Sequence, residues 1–205
     1  MSRETALYLA SQSPRRRELL TQVGFLFTVI SANINEDTVA NESAEKYVVR
    51  LAKEKAMAGF SLIKQQAKAV LGSDTAVGIN GEILGKPEND DDARRMLNLL
   101  SGNTHQVMTA VALVVGNELS TSPELTEAIS VSEVTFKKLS YDEIERYVHS
   151  GECTDKAGSY AIQGLAAVFI THLSGSYSGV MGLPIYETVA LLHNAGISTD
   201  SLVVS

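Results

Sequence analysis

The sequence is poor in the residues that build cross-linked, metal-bound or membrane-embedded proteins. It has one cysteine, Cys153, no tryptophan, and four histidines that form no motif. A single cysteine cannot close an internal disulfide, and no Cys/His cluster offers zinc ligands. No apolar run reaches the roughly 20 residues that a membrane helix needs, and the polar start at Met1–Glu4 has no signal-peptide core. We therefore expect a cytoplasmic protein with no membrane partner.

An excess of positive charge is also missing. The 205 residues carry 17 Lys and Arg against 24 Asp and Glu, a formal net charge of −7. This balance argues against a nucleic-acid partner bound by bulk electrostatics. It does not exclude a small phosphate ligand, for which a local basic cluster suffices. The length of 205 residues predicts one folded domain over 1–205 with a full hydrophobic core, and the 44% share of apolar residues is ordinary for a globular enzyme.

The hydrophobic pattern interleaves strands and helices. It predicts strands over 6–11, 27–32, 70–79, 82–84, 107–115, 129–136 and 166–173, and helices from 14 to before Gly24, over 43–59 and 90–100, from 140 to near 151, and over 184–194. Asn80-Gly81 is the preferred pair for a tight hairpin turn. Because hairpins occur among the helices, the pattern favours an α/β fold with a mixed, twisted sheet flanked by helices.

Three arginines, Arg15, Arg16 and Arg17, stand in the opening turn of a predicted helix, where they oppose the helix dipole. Unpaired N–H groups from Ser13 onward also point out of such a turn. Together they form a concentrated anion site. A solvated basic turn is the alternative, but the position after a strand and Ser-x-Ser-Pro favours phosphate binding.

Two charged residues lie where apolar ones are expected. Lys55 follows Leu51 and Ala52 at helical spacing, on the stripe that should be buried. Snorkelling at the edge of the stripe explains it equally well. Asp74 interrupts an apolar strand, where a carboxylate must be paired, bind a metal or do chemistry. The alternative for Asp74 is a structural carboxylate at a turn.

Further polar residues indicate a function only when they are considered together. Lys86 alone is by default a surface lysine, and Gln163 could read a base edge. The pair Glu36-Asp37 after the second strand either supplies metal oxygens or solvates a loop. An anion site, two lysines and an acidic pair with room for a hard metal suit phosphoryl chemistry with Mg²⁺ or Mn²⁺. Since no Walker or kinase motif is present, water is the simplest nucleophile.

Several separated segments, in the same order, resemble the Maf family. They are Ala10-Ser11-Gln12-Ser13-Pro14-Arg15-Arg16, Glu54-Lys55-Ala56, Gly72-Ser73-Asp74-Thr75, Gly85-Lys86-Pro87, Ser101-Gly102, Asp155-Lys156-Ala157-Gly158 and Ile162-Gln163-Gly164. The resemblance covers about 7–192, leaving 199–205 as an expected loose tail. It implies the Maf/Ham1 (inosine-triphosphatase-like) α/β fold with a cleft between two lobes. It also implies a pyrophosphatase that cleaves nucleoside triphosphates between the α- and β-phosphates with a divalent metal.

The resemblance assigns a role to each candidate residue. Ser11, Ser13, Arg15 and Arg16 match the family's phosphate-binding loop. Asp74 matches its general base and a metal-binding carboxylate. Lys55 and Lys86 match its charge-stabilising lysines, and Glu36 matches an acidic position that ligates metal or orients water.

Three positions separate the branches of the family. Arg15 directly after Ser-Pro, Thr75 after the aspartate, and Gln163 before the last glycine resemble the branch that acts on dTTP and UTP. The alternatives are the branch that prefers 7-methyl-GTP and a nucleotide-binding regulator of septum formation. We also expect the long loop over 116–127 to be peripheral, and a homodimer is compatible with how often small α/β enzymes pair.

Overall fold

The structure, a computed structural model, describes residues 7–63, 68–116 and 122–199. In these residues the strands are β1 Leu7–Leu9, β2 Thr28–Val29, β3 Ala69–Ile79, β4 Glu82–Leu84, β5 Thr104–Val115, β6 Glu124–Phe136 and β7 Ile170–Ser174. The helices are α1 Pro14–Gln22, α2 Ala44–Ile63, α3 Asp90–Leu100, α4 Tyr141–His149, α5 Tyr177–Met181 and α6 Ile185–Asn194, with 3₁₀ helices at Ala157–Ser159 and Leu165–Phe169.

The strands form one mixed sheet in the order β2-β1-β3-β5-β6-β7, with β4 paired to β3. β1 runs parallel to both β2 and β3, so that Leu9 lies opposite Val29 and Leu71. β3 and β4 are antiparallel, as are β6 and β7. Asn80 and Gly81, with φ of 51° and 81°, form the predicted tight turn between β3 and β4. The predicted mixed α/β sheet is therefore confirmed.

The chain divides into two compact units, each built from separate segments. The first contains 1–74, 109–129 and 182–205, and the second contains 75–108 and 130–181. In the first unit the helix α2 buries the stripe of Tyr47, Val48, Leu51, Ala52 and Ala56, as its spacing predicts. The single domain and the cleft implied by the resemblance stay predictions.

The second unit has its own hydrophobic core, to which α3 and α4 contribute their apolar faces. Leu97, Leu100, Ile144 and Phe136 are among its buried members. α4 begins at the predicted capping box, because Ser140 accepts from the Glu143 N–H and the Glu143 carboxylate accepts from the Ser140 N–H. No helix in the described parts of the chain is long and apolar enough to cross a membrane.

The prediction of a strand over 166–173 is wrong in its first half. Residues Leu165–Phe169 form a 3₁₀ helix, and β7 begins only at Ile170. The three-residue period of this helix buries Ala166 and Phe169 and leaves Leu165 and Val168 exposed. An apolar run without clear periodicity cannot be assigned from sequence alone.

Other bounds also differ from the predictions. β5 and β6 extend over 104–115 and 124–136, and α5 was not predicted. In the predicted long loop, residues 117–121 lie outside the described part of the chain, and β6 already begins at Glu124. Of the predicted tail, Thr199 is buried, and 200–205 lie outside the described residues.

Candidate active site

The start of α1 brings together residues of the predicted anion site. Ser13 is the N-cap in an extended conformation and Pro14 opens the helix, while the Ser13 N–H donates to Ser11 Oγ at 3.3 Å. The buried Ser11 Oγ also accepts from Arg16 Nη1 at 3.1 Å, and Arg16 Nε donates to the Gly182 carbonyl at 2.8 Å. These bonds hold the guanidinium beside the helix N-terminus.

Charges around Arg16 oppose one another. Burial lowers the pKa of the Arg16 guanidinium, and the Asp74 charge counteracts that effect. The neighbouring Arg15 also lowers the pKa of Arg16, because the two cations repel each other. Two close guanidinium groups at a helix N-terminus are well suited to bind an anion of several charges.

Lys55 lies at the centre of the acidic part of the site. The side chain is buried within the α2 stripe, with 8% exposure for the residue. Its Nζ donates to Asp74 Oδ1 at 2.6 Å and contacts Glu36 Oε1 at 2.7 Å. The structure thus makes Lys55 a buried, paired cation rather than a snorkelling surface side chain.

Asp74 occupies the buried middle of β3. Burial raises the pKa of its carboxyl above the usual value, and the charges of Lys55 and Arg16 oppose this rise. Gly72, two residues earlier, lets α2 pack directly on β3. A Cβ at this position would meet the Ala52 carbonyl and would lie 2.6 Å from the Ala56 nitrogen. The absence of a side chain at Gly72 therefore allows the backbone of α2 to approach the strand closely.

Two carboxylates are available for a divalent cation. Asp74 and Glu36 both place an oxygen within 2.7 Å of the same Lys55 nitrogen. Among the described residues no group of three or more His, Cys, Asp or Glu side chains could hold a metal. One or two carboxylates are nevertheless the protein share of many Mg²⁺ sites, in which substrate phosphates complete the shell. The donor set fits a metal that is bound together with a triphosphate.

Three predicted residues belong to the second unit. Thr75 follows Asp74 directly on β3 and is half-buried. Lys86 is exposed and lies two residues beyond the end of β4. Gln163 is exposed and stands just before the 3₁₀ helix at Leu165–Phe169.

The loop that leads to Gln163 is fixed against β3 and β4. Gly158, at a φ of 67°, donates its N–H to the Gly85 carbonyl at 3.0 Å. A Cβ on Gly158 would lie 2.8 Å from Val77 Cγ2. The two glycine-containing motifs around Gly85 and Gly158 therefore meet at this point of the second unit.

Sequence reasoning missed two residues that contact the site. The Tyr47 hydroxyl donates to the Glu36 carbonyl at 2.9 Å. The Gly182 carbonyl accepts from Ser73 Oγ at 3.2 Å as well as from Arg16. A signal existed for Tyr47, which precedes Lys55 by two helical turns and so shares its face. A backbone acceptor far along the chain has no signature in the sequence.

Burial, together with the negative charges of Asp74 and Glu36, raises the pKa of Tyr47 to about 12. The phenol is therefore a neutral donor at neutral pH, and it lies close enough to both carboxylates to respond to them.

Comparison with known proteins gives one consistent result. The model of the family described as Maf-like protein matches residues 6–195. A dTTP/UTP pyrophosphatase of Salmonella typhimurium is 53% identical over 196 residues, covering 96% of each chain. A dTTP/UTP pyrophosphatase of Pseudoalteromonas atlantica is 51% identical over 197 residues, covering 95% of this chain and 99% of that one. A third relative with that name, from Chromobacterium violaceum, is 49% identical over 196 residues, which are 94% of this chain and 96% of the relative.

Proposed function

The chain belongs to the Maf-like protein family, and from this premise we propose that it hydrolyses dTTP and UTP to the nucleoside monophosphate and pyrophosphate. The observation that carries the proposal is near-full-length identity of 49% to 53% to three dTTP/UTP pyrophosphatases. Removal or recycling of normal and modified pyrimidine triphosphates, a house-cleaning activity, is the corresponding cellular role.

The proposed reaction is attack of water on the α-phosphorus. Asp74 accepts the proton as the water oxygen bonds to phosphorus, and the bond from phosphorus to the bridging oxygen breaks to release pyrophosphate. The burial that raises the pKa of Asp74 makes its carboxylate a better proton acceptor, while Lys55 favours the ionised form. A general base must be ionised before it can accept the proton, and Lys55 stabilises that form of Asp74.

Positive charge offsets the charge of the triphosphate in this proposal. Arg15 and Arg16 bind phosphate oxygens at the start of α1, where Ser11 and Ser13 orient the loop through the 3.3 Å and 3.1 Å bonds to Ser11 Oγ. Lys55 and Lys86 stabilise the charge that develops during the reaction.

We propose Mg²⁺ or Mn²⁺ as the cofactor, held by the Asp74 and Glu36 carboxylates. The support is the convergence of both groups on Lys55 Nζ, at 2.6 and 2.7 Å. When bound, such an ion polarises phosphate oxygens and neutralises charge. Choice of a pyrimidine base is proposed to depend on Thr75 and Gln163, of which the exposed Gln163 amide can both donate and accept.

We also propose that the partner of this protein is a nucleoside triphosphate and that the protein binds neither nucleic acid nor a membrane. We propose a single-domain cytoplasmic protein, for which a homodimer is a compatible assembly. The net charge of −7 supports the exclusion of nucleic acid.

The test is a panel of common and methylated triphosphates with Mg²⁺ or Mn²⁺, in which pyrophosphate is resolved from single phosphate. We expect pyrophosphate mainly from dTTP and UTP, and a loss of at least about 10³-fold in Asp74→Asn. The matched control is Asp142→Asn, which makes the same change at an exposed position of α4. Release of pyrophosphate mainly from 7-methyl-GTP, or full activity in Asp74→Asn, would contradict the proposal.

A further inference from the structure

Glu36 lies in a segment that has no regular secondary structure. This acidic loop, residues 30–43, connects β2 to α2, and its residues 35–41 are exposed. No strand or helix hydrogen bonds fix the Glu36 main chain. A carboxylate that must face Asp74 at a defined distance needs another means of support.

Helix α2 supplies that support from one face. Tyr47 donates to the Glu36 main-chain carbonyl at 2.9 Å, and Lys55 binds the Glu36 carboxylate at 2.7 Å. Tyr47, Leu51 and Lys55 follow one another at four-residue spacing and are all buried. Glu36 is therefore held at both its main chain and its side chain by the same helix face.

Arg50 supports the same contact from the solvent side. One of its nitrogens donates to the Asp37 carbonyl at 3.0 Å, and two of them bind the Glu42 carboxylate at 2.7 and 2.8 Å. The guanidinium carbon also lies 5.6 Å from the centre of the Tyr47 ring. The acidic loop is thus attached to α2 at Glu36 through Tyr47 and Lys55, and at Asp37 and Glu42 through Arg50.

We propose that Tyr47 is a positioning residue, whose hydroxyl fixes the Glu36 main chain so that the Glu36 carboxylate faces Asp74 around Lys55. This inference deepens the proposed function and rests on it. In this proposal the hydroxyl acts through Glu36, to whose carbonyl it donates. Its loss leaves the Lys55–Glu36 ion pair possible but lets the loop, and with it the carboxylate, sample other positions.

The expected effect of Tyr47→Phe is on metal affinity more than on turnover. Removal of an outer residue that orients a metal ligand weakens metal affinity by about 10- to 100-fold in known sites. We expect Mn²⁺ affinity to fall about tenfold and kcat at saturating Mn²⁺ to stay within about twofold. Mn²⁺ bound to the metal-free protein with α,β-imido-dTTP, counted by electron paramagnetic resonance, gives a readout that does not depend on turnover.

A double-mutant cycle separates positioning from general structure. The variants are Tyr47→Phe, Glu36→Gln and the pair, with Tyr8→Phe as the matched control. Tyr8→Phe deletes a hydroxyl of the same unit that contacts Lys68 at 3.2 Å. We expect Tyr47→Phe to weaken Mn²⁺ binding in the wild-type background. In the Glu36→Gln background it should weaken Mn²⁺ binding by less than about a further twofold. Tyr8→Phe should leave the Mn²⁺ affinity unchanged in both backgrounds.

Equal weakening by Tyr47→Phe in both backgrounds would overturn the inference, because the hydroxyl would then not act through Glu36. Unchanged Mn²⁺ affinity in Tyr47→Phe, with an active wild-type enzyme, would overturn the positioning role alone. A wild-type protein that releases no pyrophosphate from any triphosphate would overturn the proposed function and this inference with it.

Discussion

Lys55 shows how a buried cation is stabilised by a site rather than by a hydrophobic core. A lone ammonium within the apolar stripe of α2 would cost several kcal/mol. Asp74, which is 6% exposed, provides the stronger compensation. The Glu36 side chain is 44% exposed, so solvent screens its contribution. Lys55 and Asp74 therefore depend on each other for burial.

Removal of this cation should destabilise the protein in a pH-dependent way. In Lys55→Met the Asp74 carboxylate loses its partner, which should cost about 3 kcal/mol of unfolding free energy at pH 8.5. Without Lys55, the pKa of the Asp74 carboxyl in the native state lies further above its value in the unfolded state. The native state of the variant therefore takes up a proton on Asp74 as the pH falls, and the loss of unfolding free energy becomes smaller toward pH 6. Urea unfolding at both pH values measures the difference.

The matched control for this change is Lys53→Met on the same helix. Lys53 pairs with Glu127 at 2.6 Å, but both side chains are more than a third exposed. That substitution should cost less than about 1 kcal/mol. An equal loss for Lys55→Met at both pH values would mean that Asp74 is not the group left unpaired.

The site residues that local sequence alone could single out are those that break a local rule of charge or burial, whereas the other predicted site residues were identified through the family resemblance. Arg15 and Arg16 oppose a helix dipole, and Lys55 and Asp74 interrupt apolar patterns, so each could be singled out from the sequence. Tyr47 breaks no rule, because a tyrosine on a buried helix face is ordinary. The backbone acceptor of Gly182 contributes through its position in space, which local sequence does not encode.

The packing of α2 on β3 fixes the distance between Lys55 and Asp74. The contact depends on Gly72, since the atoms nearest to an added Cβ are the Ala52 carbonyl and the Ala56 nitrogen of α2. These atoms belong to the helix turn that carries Lys55. Backbone atoms cannot move aside as a flexible side chain can, so the helix and the strand must separate if a side chain is added.

Gly72→Ala should therefore lower stability and activity together. We expect a loss of about 3 kcal/mol in unfolding free energy and at least about tenfold in kcat/KM, because misplacement near 1 Å is costly in an active site. Urea unfolding and pyrophosphate release measure the two effects. Gly85→Ala serves as the stability control, since nothing lies within 4 Å of its added Cβ. A stable Gly72→Ala with normal activity would refute the packing argument.

Secondary structure could be predicted where several local signals agree. α3 has the predicted bounds, because its acidic first turn and the Gly102 beyond its end point to the same helix. The 3₁₀ helix at Leu165–Phe169 could not be separated from a strand, since a short apolar run suits either. The five-residue α5 is too short to give a periodic signal.

Stability of the whole protein should depend on a histidine outside the site. His105 is 2% exposed, and its Nε2 lies 2.9 Å from the Tyr160 hydroxyl. Its Nδ1 is buried and has no hydrogen-bond partner among the residues that the structure describes. Burial lowers the pKa of His105 to about 4. A proton on this ring would place a charge in the core of the second unit.

The sign of the resulting pH dependence follows from the lowered pKa. Between about pH 6.5 and 4 the unfolded state binds the proton and the native state does not, so unfolding free energy falls as pH falls. The full contribution is present above about pH 6.5 and is roughly 3 kcal/mol smaller near pH 4. Denaturant unfolding of the wild type and of His105→Leu across this pH range isolates the contribution of His105. A variant with the same slope as wild type would assign the pH dependence to other groups.

The chain passes between its two units at four places, and three of them fall inside β3, β5 and β6. Asp74 and Thr75 are neighbours in one strand and yet belong to different units. Neither unit corresponds to one contiguous stretch of the sequence, so no single truncation or excision of the chain yields one unit intact and alone. A cut at the 74/75 boundary would separate the predicted base from a predicted specificity position and would interrupt β3 between them.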